Sequence, residues 1–246
     1  MKEVLLCAAV VGLATVAGSL LSFWGKTISQ KANDILLSFA AGVMLGATFF
    51  SLLMPALGET GDGVWFCLAG LAAGVVLVRA LNRFVPQMHS ILKTENKQSP
   101  ELDRVMLFLI AIAIHNLPEG MAVGVSFGSG ETSNAVSIAI GIALQNIPEG
   151  MITILPLLLA GVSRKRAFVV ALLTGLTEVI GTLIGYAAVT VAAAVMPFLL
   201  ALAGGAMLYV ICHDMIPDTH GNGHADAAMY SLIGGLMVML LIQRFV

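Results

Sequence analysis

The sequence predicts an all-α, polytopic membrane protein of eight transmembrane helices, and three observations carry that expectation. The 246 residues are 59% hydrophobic and only 11% charged, against about 25% charged in an ordinary soluble domain. The apolar residues fall into repeated stretches of about 20, the length that crosses a hydrocarbon core and that a soluble fold cannot hide again and again. Lys and Arg gather in alternate connections, as they do when those connections stay in the cytoplasm. A mean hydropathy of +0.97 agrees.

The eight helices are expected at 4–24, 34–56, 63–85, 105–127, 135–159, 167–191, 195–215 and 226–243, in one transmembrane domain covering 1–246. Met1 to Glu3 is short, and the run from Val4 to Trp24 exceeds the apolar core of a cleavable signal. It therefore reads as the first span. The second span carries Met44 and Ser51, two helical turns apart on one face. A methionine within a span is ordinarily packing. After the third span comes the longest connection, 86–104, with Lys93, Glu95, Lys97 and the Ser99-Pro100 break, expected to be a hydrophilic loop. The fourth and fifth spans each hold a proline and a carboxylate, and the sixth holds Glu178 at depth. The seventh ends in a connection containing His213, Asp214, Asp218, His220, His224 and Asp226.

Basic residues orient the bundle. Lys26 and Lys31 follow the first span, Arg79, Arg83, Lys93, Lys97 and Arg104 flank the third connection, and Arg164, Lys165 and Arg166 fill the fifth. The second and fourth connections hold Glu59, Asp62 and Glu131 but no Lys or Arg. Odd-numbered connections are thus expected in the cytoplasm and both termini outside. The seventh connection has no basic residue, and its His/Asp-rich mouth suits cations better than anionic lipid. The three cysteines, Cys7, Cys67 and Cys212, form no C-x-x-C pair and read as small embedded residues. A formal net charge of -2 and no basic tract exclude nucleic acid as a partner.

The chain repeats itself. Ile112-Ala113-Ile114-His115-Asn116-Leu117-Pro118-Glu119-Gly120-Met121 aligns with Ile142-Ala143-Leu144-Gln145-Asn146-Ile147-Pro148-Glu149-Gly150-Met151. A fainter echo relates Ala41-Gly42 through Pro55 to Ala203-Gly204 through Pro217. Those two helices run in opposite directions in the expected topology. Helices one to three and six to eight are therefore read as inverted repeats around a kinked central pair, an arrangement typical of secondary transporters.

An ionisable group at mid-membrane costs about 2.5–3.5 kcal/mol on insertion scales and needs a compensating use. Residues four apart share a helix face, so His115 points with Glu119, and Gln145 with Glu149. Asn116 and Asn146 lie one step around. Pro118 and Pro148 remove a backbone donor and free the carbonyls of Ile114 and Leu144. Imidazole, carboxylate and amide oxygen together suit borderline divalent metals such as zinc, and also iron(II), cobalt or manganese. Mg²⁺ fits less well, because it prefers octahedral oxygen and keeps its waters. The bland alternative is hydrogen bonding across a helix interface. Two copied sets, each with Pro and Glu, favour the metal. Glu178 reads as a further ligand, a proton-coupled gate or a locally paired acid.

At these residues the chain resembles the ZIP family of divalent metal transporters, specifically the compact bacterial type related to zinc-uptake permeases. The resemblance covers essentially the whole chain and rests on the doublet H-N-x-P-E-G and x-N-x-P-E-G. It implies a metal site at His115, Asn116, Glu119, Gln145, Asn146 and Glu149, with Glu178 at the acidic position of helix six. It also matches Met44, as a further soft metal ligand, and Ser51 to the family's helix-two pair, and His213 and Asp214 to an exit-path pair of helix seven. Two departures stand out. Position 146 is Asn where some relatives carry an Asp that bridges two metals, and the long loop has only His89 where many relatives have a His-rich tract.

The expected function is uptake of a divalent transition metal, zinc first, with Fe²⁺, Mn²⁺, Co²⁺ or Cd²⁺ as other cargo and no prosthetic cofactor. The resemblance implies a homodimer in the cytoplasmic (inner) membrane and a carrier in which helices one, four, five and six move against the rest. The ion is expected to leave past Ser51, His213, Asp214, Asp218, His220 and His224. An intramembrane metal-dependent hydrolase is the main rival, but it calls for a motif such as H-E-x-x-H, and none is present. A channel-like metal pore is the second.

Overall fold

The computed structural model describes residues 1–23, 29–58, 64–95, 116–128, 130, 132–159, 162–191 and 196–245. Every regular element among them is helical. These are α1 (Lys2–Leu21), α2 (Gln30–Gly46), α3 (Met54–Gly58), α4 (Val64–Glu95), α5 (116–128), α6 (Thr132–Leu159), α7 (Arg164–Val191), α8 (Met196–Val210), α9 (Ile216–His220) and α10 (Ala225–Phe245). Six stretches among the described residues are long and apolar enough to cross a membrane. This is a multi-pass membrane protein. Leu172, Leu176, Ile180 and Ile184 on α7 and Ile233, Met237 and Leu241 on α10 stay exposed, as side chains facing lipid would.

Two helices run on through a proline. Wider π turns at Ala47–Leu53 join α2 to α3, and another set at Ile211–Met215 joins α8 to α9. In an α-helix a proline withholds an N–H from the carbonyl four residues back and clashes with it. A π segment just ahead of Pro55 and Pro217 loosens that turn, so the chain need not stop. The seventh helix therefore reaches His220, beyond the position 215 expected from sequence. Likewise α4 runs to Glu95, through the first ten positions of the stretch 86–104 expected to be loop. Its 32 residues span about 48 Å, more than the roughly 30 Å of hydrocarbon. An α-helix satisfies its own backbone, so leaving the bilayer gives it no reason to end. The rest of that loop, the start of the fourth span and His115 lie outside the described residues.

The helices sort into two groups. One contains α1, α5, α6 and α7; α1 lies along α6 and α7, and α5 lies along α7. In the other, α10 lies along α2 and α4 along α8. The groups meet chiefly where α6 crosses α2. Close approach inside the first group depends on missing side chains. A Cβ on Gly120 would collide with the main-chain carbonyl of Glu178, and one on Gly150 with that of Thr15. Those contacts set the copied motifs against α7 and α1.

Candidate metal site

Both motifs are delivered by helices that continue through their prolines, α5 through Pro118 and α6 through Pro148. Glu119 is wholly buried and lies within electrostatic reach of Glu149 and Glu178. Gln145 sits alongside Glu119 without meeting hydrogen-bond geometry. Both carboxylate oxygens of Glu119, both amide atoms of Gln145, Asn146 Oδ1 and Glu149 Oε1 are buried without a hydrogen-bond partner. Buried polar atoms are almost always paired, so an unpaired group of this size calls for an explanation. Among the described residues no three His, Cys, Asp or Glu side chains converge closely enough to hold an ion. The open atoms come from two carboxylates and two amides.

Glu178 behaves differently. It is fully buried midway along the 28-residue α7, and its carboxylate accepts three hydrogen bonds. Oε1 accepts from Thr15 Oγ1 at 2.6 Å and from Asn116 Nδ2 at 2.6 Å, and Oε2 accepts from Asn146 Nδ2 at 2.7 Å. Both predicted asparagines thus give one N–H each to Glu178.

The helix-two pair is split. Met44 is buried in the apolar core with Leu52, Ile142 and Met207. Ser51 Oγ donates to Gln243 Oε1 at 2.7 Å, while Asn134 Nδ2 donates to the Ser51 carbonyl at 3.1 Å.

The remaining predicted residues gather elsewhere. His213 Nδ1 pairs with Asp214 Oδ1 at 2.6 Å, and its exposed ring stacks on Tyr209 at 4.7 Å. His224 Nδ1 meets Asp34 Oδ2 at 3.0 Å, and Asp34 Oδ1 accepts from Gln30 Nε2 and Asn222 Nδ2, both at 3.0 Å. His220 Nδ1 lies 3.0 Å from both the Ile216 carbonyl and the Thr219 hydroxyl. Its Nε2 is buried and unpartnered. The Asp218 side chain is exposed nearby. Asp34 and Ser51 are about 25 Å apart along one helix. Ser51 thus stands at the opposite end of the bundle from the His/Asp mouth with which it was grouped.

Four polar residues escaped the sequence reading: Thr15, Asp34, Asn134 and Gln243. Asp34 resembles any acid in a helix's first turns. The other three matter through partners 192, 83 and 163 positions away. The one signal was a small, polar face on helix one, with Thr15 and Ser19 beside Gly12 and Gly18.

Comparison with known proteins places the chain in a family. A family model described as ZIP Zinc transporter matches residues 86–243. The chain is 37% identical to a protein named zinc transporter GufA from Myxococcus xanthus, over 97% of each chain. It is 37% identical to zinc transporter ZIPB from Bordetella bronchiseptica, over 94% of this chain and 77% of that one. It is 34% identical to zinc transporter ZupT from Chlorobaculum parvum, over 93% and 91%. These matches, on a multi-helix membrane fold, point to a transporter and not an enzyme: the chain belongs to the ZIP family of metal transporters.

Proposed function

We propose that this protein carries zinc across the cytoplasmic membrane into the cytoplasm, through a site on α5 and α6 formed by Glu119, Gln145 and Glu149 with His115 and the oxygens of Asn116 and Asn146. One observation supports this most strongly. Glu119 and Glu149 bring carboxylate oxygens into a buried space with no hydrogen-bond donor on them. Unpaired carboxylates there cost several kcal/mol, and a divalent cation repays both at once. The names of the relatives favour zinc as cargo, while Fe²⁺, Mn²⁺, Co²⁺ and Cd²⁺ suit the same ligands.

The contacts support the inverted repeat too. A shift of 163 residues takes Thr15 to Glu178, and with it Gly18 to Gly181 and Gly42 to Gly205. Gly150 meets the Thr15 carbonyl as Gly120 meets that of Glu178, and Gly18 meets Ile147 as Gly181 meets Leu117. Gly42 likewise faces the Leu232 carbonyl and Gly205 that of Leu71. In this reading α1, α5, α6 and α7 move as a unit against a fixed group held in a homodimer, with both termini outside. Ions leave past the His220 and His224 mouth.

Reconstitution in liposomes tests the proposal. Zinc flux should saturate, and each candidate metal should compete according to its share of the site. Fast, non-saturating flux would indicate a pore, and no flux of any divalent metal would overturn the reading.

A further inference from the structure

Each asparagine of the copied motifs uses both hydrogens of its amide nitrogen. Asn116 Nδ2 donates to Glu178 Oε1 at 2.6 Å and to the Thr174 carbonyl at 3.4 Å. Asn146 Nδ2 donates to Glu178 Oε2 at 2.7 Å and to the Val11 carbonyl at 3.3 Å. Carboxylates and main-chain carbonyls only accept. Exchanging O and N in either amide would set acceptor against acceptor twice, so the partners fix its orientation. Thr15 Oγ1 fills the same carboxylate at 2.6 Å. Asn146 Oδ1 is consequently turned away from Glu178, and it is buried and unpartnered on the same turns of α6 as the open atoms of Gln145 and Glu149.

We propose that Glu178 is a positioning residue and not a metal ligand, and that the site it organises takes a single divalent ion. This rests on the zinc-transport reading above. An aspartate at 146 would face Glu178 with a second carboxylate, and a shared proton or a cation between them would have to relieve that repulsion. Asparagine supplies N–H groups there instead. Three hydrogen-bond donors lie on the Glu178 carboxylate, two on Oε1 and one on Oε2, where a second ion would have to bind. Glu178 then acts through the amides it orients, turning Asn146 Oδ1 toward the one ion held by Glu119 and Glu149.

The test is zinc stoichiometry on the purified full-length protein in nanodiscs, with X-ray absorption at the zinc edge. The inference expects Glu178→Gln to bind the same number of ions as wild type, with an unchanged zinc ligand shell and affinity about tenfold weaker, the scale of one misaligned charge-assisted hydrogen bond. Thr15→Val should weaken binding less. Asn146→Asp should add one ion per chain. Loss of one ion, or of one oxygen from the zinc shell, in Glu178→Gln would overturn the inference while leaving zinc transport intact. An unchanged count in Asn146→Asp would also overturn it. Wild-type protein that binds no zinc would overturn the transport reading along with it.

Discussion

Asn134 and Ser51 are joined across the two helix groups by a hydrogen bond to a main-chain carbonyl. Ser51 lies in the π turns just ahead of Pro55, and Asn134 Nδ2 donates to its carbonyl at 3.1 Å. Gln243 completes the contact, accepting from Ser51 Oγ at 2.7 Å and reaching Asn134 Oδ1 at 3.4 Å. One residue from α6 and one from α10 thereby hold the end of helix two.

Asn134→Ala is expected to destabilise the protein by about 1–2 kcal/mol, because it leaves a buried carbonyl unpaired. Asn134→Asp should rescue nothing, since an ionised carboxylate cannot donate. Thermal unfolding in detergent, followed by tryptophan fluorescence, checks both. An unchanged Tm in Asn134→Ala would show that the bond contributes nothing.

Gly150→Ala should be far more damaging than its one added carbon suggests. The new Cβ collides with main chain of α1, which cannot rotate aside as a side chain would. Overpacking of this kind costs about 1–3 kcal/mol or more. It also pushes Glu149 away from Glu119, so uptake should fall further than expression. Gly234→Ala, which meets nothing within 4 Å, is the matched control and should behave as wild type.

Asp34 organises the other end of the bundle. Replacing it with alanine strands three donors, from Gln30, Asn222 and His224. A loss of about 2–3 kcal/mol is expected, the range for truncating a buried charged acceptor. His224→Ala leaves Asp34 two of its three donors and should cost about 1 kcal/mol. If the two variants unfold at the same temperature, the carboxylate is not the organising group.

The sequence made the copied motifs legible because each is local: four positions on one helix face, repeated after 30 residues. It made the spans legible because lipid forces apolar runs of fixed length. Pro217 misled, since the π turns that absorb it have no signature in composition. The continuation of α4 to Glu95 was hidden for a similar reason, because hydropathy records where lipid ends and not where a helix does. Glu178 was visible as a buried acid, but not the three donors that fill it, which come from α1, α5 and α6. The separation of Ser51 from the His/Asp mouth followed from helix direction only once Asp34 and Gln243 were placed.

The central claim is that Glu119 and Glu149 hold the transported ion. Its most direct test is the initial rate of zinc uptake into proteoliposomes containing Glu119→Ala/Glu149→Ala, normalised to inserted protein and compared with wild type. Saturable uptake in wild type and only background leak in the double variant is the predicted result. Wild-type uptake by the double variant would contradict the claim.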